Sequence, residues 1–401
     1  MHETLPPEIL DRILDYLRGD NRSLSACALA ARVMLPRTRY HRFRSVTLRP
    51  MHARSDLLPL LNSSPELTEL VTSVRMVYLV NKEFEQALDV LARLPALTAL
   101  TAVSTTNLLA FPWRSLATAA SYAPALTSLH LIGPGLMLPE EGLSVLSRFH
   151  SLEEIRLRLV QFMDENPLEY FHSYARRHPA PASLRRVELR QADMNLVVGR
   201  WIQSTSPAPI MCSVRHYISD GMDASQFETT TEWWSGTVEN LEVVFEPEGN
   251  MADILEDFPI TLSPFSVLEV CALRFAFGEM CVASNQSLPW IITILSQLSS
   301  RRLRHLTFSL VVDNVEDLRS LNSECAVRKL SSAHFDDMRV LDWNAIERSL
   351  TSHTMEHLRE FVVEGQGRQD LLESHIQSSC PELTARRLVT FRTVDKEVPW
   401  L

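Results

Sequence analysis

A short pattern recurs along this chain and restricts its fold more than any other feature: an apolar residue, two others, an apolar residue, one other, an apolar residue. It reads "VTSVRM" (71–76), "LTALTA" (97–102), "LTSLHL" (126–131), "LEEIRL" (152–157) and "LRRVEL" (184–189). It continues as "VRHYIS" (214–219), "LEVVFE" (241–246), "LEVCAL" (268–273), "LRHLTF" (303–308) and "LREFVV" (358–363). Starts lie 26 to 35 residues apart until a last gap of 55, where "MRVLDW" (338–343) reads as a degenerate copy. The fourth and sixth positions share one face of a strand because side chains alternate.

Between copies, "EFEQALDVLARL" (83–94), "EEGLSVLSRF" (140–149), "LEYFHSYARRH" (168–178) and "LPWIITILSQL" (288–298) carry helical periodicity. Pro95, Pro124 and Pro181 then stop the helix before the next strand. Each unit is strand, loop, helix, loop, and a lone unit cannot bury its apolar faces, so units must stack. The expected fold is α/β: a solenoid over 49–394 whose period resembles leucine-rich repeats of an irregular kind. Unit lengths vary, the usual asparagine after the strand is mostly absent, and glycine is scarce at 11 residues. A stack of helix pairs is the alternative architecture. The tail "LLESHIQSSCPELTARRLVTFRTV" (371–394) reads as a last helix and a closing strand, followed by a C-terminal segment, 395–401.

Alternation places the fifth and seventh positions on the inner face: Arg75, Thr101, His130, Arg156 and Glu188, then Val77, Val103, Ile132, Arg158 and Arg190. Charges at inward strand positions require an open face. Arg156, Arg158 and Arg190 are therefore expected to form a basic patch, with Glu188 and His130 beside it, as candidate target-binding residues.

Ahead of the repeats, "LPPEILDRILDYL" (5–17) reads as a helix from about Pro6, with Thr4 as its cap. Ile9, Leu10, Ile13, Leu14 and Leu17 form two overlapping i, i+4 rows, wider than one core-facing stripe. "GD" (19–20) ends that helix; "SLSACALAARVM" (23–34) and "LPRTRYHRF" (35–43) make two more, and "RSVTL" (44–48) begins a strand. Residues 4–48 resemble an F-box of the form found in fungal F-box proteins with leucine-rich-like repeats. The matching residues are Leu5, Pro6, Glu8, Ile9, Ile13, Leu17, Leu24, Cys27, Leu29, Arg32 and the stretch Leu35 to Val46. Met34 stands where the family commonly has tryptophan.

The resemblance implies a non-catalytic substrate receptor. The head would dock on a Skp adaptor, and through it a cullin ubiquitin ligase, by Leu5, Pro6, Ile9, Leu10, Ile13 and Leu14 with Leu24 and Leu35. The repeats would hold an unidentified protein target, with the chain a monomer within the complex. A repeat scaffold with no ligase role is the alternative.

Composition sets the boundaries. Residues 1–50 hold nine Arg against five Asp or Glu, so a chain of net charge −10 has a basic head and a body carrying −14. That body opposes phosphate backbones, and nucleic acid is not expected as a partner. Apolar runs are too short to span a membrane, and acidic residues and prolines stand where a signal peptide needs a basic region and an apolar run, so a cytoplasmic or nuclear location is expected. Cys27, Cys212, Cys271, Cys281, Cys325 and Cys380 form no C-x-x-C pair and read as free thiols. Only Lys82, Lys329 and Lys396 are lysines among 39 basic residues; this is either compositional bias or protection from self-ubiquitination.

No cofactor motif and no nucleophile elbow occurs. The string "HTMEH" (353–357) has the order of an inverted zinc peptidase motif, in which His353 and His357 would bind zinc and Glu356 would act as base, a third reading as a hydrolase. It abuts a strand-like segment, and a solvated turn is the expectation.

Overall fold

The computed structural model describes residues 5–49, 57–78, 81–104, 113–137, 139–162, 171–189, 192–245, 251–276, 289–311, 338, 341–365 and 369–393. The chain divides into two compact units, Met1–Leu184 with Arg200–Pro209 and Arg185–Gly199 with Ile210–Leu401.

The first unit opens with α1 (Pro7–Tyr16), α2 (Asn21–Ala30), a 3-10 turn (Arg32–Met34) and α3 (Leu35–Phe43). Pro6 stands at the N-cap of α1 with no side-chain cap; Thr4 lies outside the described residues. Asp20 caps α2 rather than only ending α1, because its Oδ1 accepts from the N–H groups of Arg22 and Ser23, each at 3.0 Å. The Ser23 hydroxyl, then its N–H, hold this carboxyl below its usual range.

The chain continues as β1 (Ser45–Leu48), α4 (Leu58–Ser63), β2 (Ser73–Tyr78), α5 (Asn81–Leu91), β3 (Ala99–Ser104) and α6 (Trp113–Tyr122). β4 (Ser128–Met137), α7 (Pro139–Leu146), β5 (Glu154–Phe162) and α8 (Phe171–Arg177) follow. β1 to β5 pair in chain order, all parallel. The strand that ends the head, β1, is thus the first strand of this sheet. Register aligns Val74, Leu100, Leu129 and Ile155 in one buried row and Met76, Ala102, Leu131 and Leu157 in a second. These are the fourth and sixth positions of the repeat, and the first positions, Val71, Leu97, Leu126 and Leu152, are buried beside them. Entry to each strand is fixed by main-chain bonds: the N–H groups of Thr98 and Ala99 donate to the Thr72 carbonyl, and those of Thr127 and Ser128 to the Thr98 carbonyl. Hydroxyls of Thr98 and Thr127 donate to the same carbonyls at 3.2 Å, which accounts for threonine at the second position.

The second unit holds β6 (Arg186–Leu189), α9 (Ala192–Ser204, its last residues counted with the first unit), β7 (Ser213–Ile218), α10 (Gly221–Trp234), β8 (Asn240–Phe245) and α11 (Met251–Asp257). After them come β9 (Val270–Ala276), α12 (Pro289–Ser296), β10 (His305–Val311), α13 (Trp343–Leu350), β11 (Glu360–Gly365), α14 (Gln369–Ser379), α15 (Pro381–Ala385) and β12 (Val389–Thr393). β6 to β12 pair in chain order, again all parallel. A phenylalanine column crosses the core: Phe245 stacks on Phe275 at 5.0 Å between ring centroids, and Phe275 meets Phe308 at 4.9 Å. Such pairs add about 0.5–1.5 kcal/mol each beyond their area burial.

Two sequence expectations need correction. Glu188 lies opposite Arg215, and Arg215 opposite Glu242, so the repeat frames begin at Met211 and Val238, three residues before "VRHYIS" and "LEVVFE". Tyr217, Ile218, Val244 and Phe245 are all buried, so apolar spacing alone leaves two frames equally good. Nor is "MRVLDW" a strand. β10 pairs directly with β11, Asp342 caps α13 by accepting from the Ala345 N–H at 2.9 Å, and the Trp343 indole donates to the Met338 carbonyl. Positions 339–340 of that string lie outside the described residues.

Candidate functional site

The head sorts its apolar residues into two populations. Leu14 and Leu24 are fully buried and, with the buried Thr38, form its small core; Leu10, Leu17 and Leu35 are half-buried. Leu5, Pro6, Ile9 and Ile13 are exposed. The two rows of α1 therefore separate, with Leu10, Leu14 and Leu17 turned inward and Ile9, Ile13 and Tyr16 forming an i, i+4, i+7 stripe in solvent. Tyr16, 91% exposed, extends the stripe beyond the residues singled out from sequence. Asp15 ties α1 to α3, accepting from Arg37 Nε at 2.7 Å and lying 2.8 Å from His41 Nε2. These bonds, from His41 first and Arg37 second, hold the Asp15 carboxyl below the usual carboxylate range.

A second candidate surface is the strand face opposite the buried rows. In the first unit, register places Thr47, Arg75, Thr101, His130 and Arg156 in one line. Arg156 Nη2 pairs with Glu154 Oε1 at 2.7 Å, and the Ser128 hydroxyl donates to the same carboxylate at 2.9 Å. Arg158 lies opposite Ile132, and Arg190 falls outside the described residues.

In the second unit this face carries a chain of alternating charge absent from the sequence-derived candidates apart from Glu188. Arg215 Nη1 lies 3.3 Å from Glu188 Oε2, and Arg215 Nε donates to Glu242 Oε2 at 2.6 Å. Arg274 Nε donates to the other Glu242 oxygen, and Arg274 Nη1 reaches Glu364 Oε2 at 2.8 Å. Arg392 Nη1 closes the chain on Glu364 Oε1 at 3.2 Å, while the Tyr217 hydroxyl donates to Glu188 Oε1. Burial opposes the Arg215 charge, yet Glu242 and Glu188 more than offset it and hold the guanidinium above its ordinary value. The correct frame exposes the pattern, because Glu188, Arg215 and Glu242 then all occupy the fifth position.

The metal-like string does not form a helical site. α13 ends at Leu350, and His353–Met355 is a single 3-10 turn. Met355 and Leu358 are buried anchors, which leaves His353, Glu356 and His357 exposed. Among the described residues no group of three His, Cys, Asp or Glu is placed to hold a metal ion, and no helix is long and apolar enough to cross a membrane. Burial pushes the Cys271 thiol up to about 12 and the Cys380 thiol up to about 11, both far from the range of a reactive thiolate. Cys281 and Cys325 lie outside the described residues. Of two adjacent tryptophans at the end of α10, Trp234 is buried and Trp233 half-buried.

No protein-family model matches this chain, and no curated protein matches it. Among solved structures it is similar to an internalin (inlF) from Listeria monocytogenes str. 4b F2365. The identity is 13% and the TM-score 0.26, over 75% of this chain and 92% of that one.

Proposed function

We propose that this protein is a non-catalytic protein-interaction scaffold. The observation that carries the reading is the strand face: rows of half-buried polar and charged side chains, set by register above fully buried apolar rows, present a sheet surface in each unit. Surfaces with paired charges suit protein partners, where such charges govern partner choice more than raw affinity. Photo-crosslinkers placed at Thr101, His130 and Arg156 in cells should capture one common protein partner. Charge reversal at Arg156 and Arg158 should remove it, and recovery of the same partner from the double variant would place recognition elsewhere.

A second, finer reading is favoured by the exposed stripe. An apolar row held outward on a helix whose other row is buried fits docking to a helical adaptor. The reading is a Skp-adaptor contact through Leu5, Pro6, Ile9 and Ile13, with Leu10, Leu14, Leu24 and Leu35 supporting it, which would make the scaffold the substrate receptor of a cullin ubiquitin ligase in the cytoplasm or nucleus. Co-purification of the full chain with a Skp adaptor tests it. Binding lost on Ile9→Glu with Ile13→Glu, at unchanged thermal unfolding, supports the adaptor role; a folded wild type that never retains the adaptor leaves only the scaffold.

A further inference from the structure

We propose that the first unit carries a separate groove for an acidic peptide segment, along α6 and the links that follow α6, α7 and α8. Two hollows lie there. One, about 630 Å³, is bounded by α6 and the link from α7 to β5; the other, about 510 Å³, by that same link, the end of α8 and the segments around Pro181 and Ser206. Both are lined by Arg148 and His150, so they adjoin as one groove. Arg114 lines the first hollow and Arg177 the second.

Among the described residues no Asp or Glu lines either hollow, on a protein of net charge −10. Helix electrostatics favour two of these cations, since Arg148 lies just past the C-terminus of α7 and Arg177 in the last turn of α8, but not Arg114, which sits in the first turn of α6, where the dipole disfavours positive charge. Among the described residues neither Arg114 nor Arg148 has a carboxylate partner. Arg177 pairs with Glu140 at 2.8 Å, but both side chains are about half exposed, and a pair of that kind exchanges readily for a ligand carboxylate.

The base of the groove is held in place before anything binds. The Ala180 N–H donates to Thr205 Oγ1 at 2.8 Å, and that hydroxyl donates to the Trp201 carbonyl at 3.0 Å. A fixed base lowers the ordering cost of association. Each hollow has the size of an ordinary ligand pocket, enough for a few residues of peptide. Three arginines spread over hollows of this size match a short acidic segment, whose charge lies within the groove.

The experiment titrates the full-length chain with a fluorescein-labelled octapeptide of alternating Asp and Gly. A peptide with Asn in place of Asp and a single-stranded oligonucleotide of equal charge serve as comparisons. The acidic peptide should bind in a salt-dependent manner and the neutral one should not. Arg114→Glu with Arg148→Glu, folded by circular dichroism, should weaken binding by at least about tenfold, while Arg156→Glu on the strand face should not change it. That last comparison separates this groove from the scaffold reading of the strand face. Unchanged affinity in the double variant, absence of binding, equal binding of the neutral peptide or tighter binding of the oligonucleotide would each overturn the assignment.

Discussion

Arg274 on β9 reaches past β10 to Glu364 on β11, Nη1 to Oε2 at 2.8 Å, with the Ser309 hydroxyl of the intervening strand 3.4 Å from the same nitrogen. Both side chains are largely shielded, at 18% and 7% exposed, whereas Arg392 on the other side of Glu364 is 60% exposed. Glu364→Ala removes one of the two carboxylates on a shielded guanidinium, which keeps Glu242, and should destabilise the second unit by about 2 kcal/mol, as for a lost hydrogen bond to a charged group. Arg392→Ala removes only an exposed partner and should change stability by less than about 1 kcal/mol. Urea unfolding of both variants checks the difference, and similar losses would mean that shielding does not set the strength of this chain.

Trp233 packs against Gly199, so that a Cβ built there would clash with the indole Cζ3. Replacement by alanine gains about 1 kcal/mol of helix propensity within α9. Overpacking opposes it by about 1–3 kcal/mol. Gly199→Ala should be destabilising alone and neutral or stabilising in a Trp233→Leu background. A thermal-unfolding double-mutant cycle measures the coupling, and additive effects would show that the indole moves aside freely.

The two apolar rows of α1 should respond in opposite ways. Leu14→Ala or Leu24→Ala opens a void in a small core and should cost about 2–5 kcal/mol. Ile9→Ser and Ile13→Ser remove exposed side chains and should stay within about 0.5 kcal/mol. Denaturant midpoints at constant m-value decide this. A large loss at Ile13 would mean that the stripe packs against the protein itself.

Regular repeats were legible in the sequence because "LTALTA", "LTSLHL" and "LEEIRL" alternate cleanly, and the helix at 35–43 matches to the residue. The frame failed where a strand is buried on both faces. With Tyr217, Ile218, Val244 and Phe245 all inside, the period of two loses its polar half and a slip of three residues looks equivalent. That slip placed Arg215 and Glu242 at the second position of their units, away from the fifth and seventh positions read as the inner face. It also hid His216, a polar residue in a core slot. The excess apolar surface of α1 was legible, but its division into a buried and an exposed row depends on how α3 and α2 pack against it, which spacing does not encode.

His216 occupies the sixth position of its repeat, where other strands carry Leu131, Leu157, Val243 and Leu273. It is fully buried, its Nε2 lies 3.1 Å from the Asp223 carbonyl, the Phe227 ring meets it edge-on, and its Nδ1 has no hydrogen-bond partner among the described residues. Burial, only partly opposed by that carbonyl, lowers its pKa to about 4 from an ordinary 6.5. The folded state therefore binds fewer protons than the unfolded state between these values, so stability falls as pH drops through that window. Above about 6.5 the imidazole is neutral in both states and contributes no slope; below about 4 both are protonated and the loss levels off near 3 kcal/mol. His216→Leu removes the titrating group and supplies the side chain that equivalent positions use. The variant should match or exceed wild type at pH 7.5 and gain on it by about 2–3 kcal/mol at pH 4.5. Urea unfolding at both pH values isolates this one group, since the carboxylates common to both proteins cancel in the difference. A constant difference across the window would show that the ring is protonated within the fold and that its free nitrogen has an acceptor.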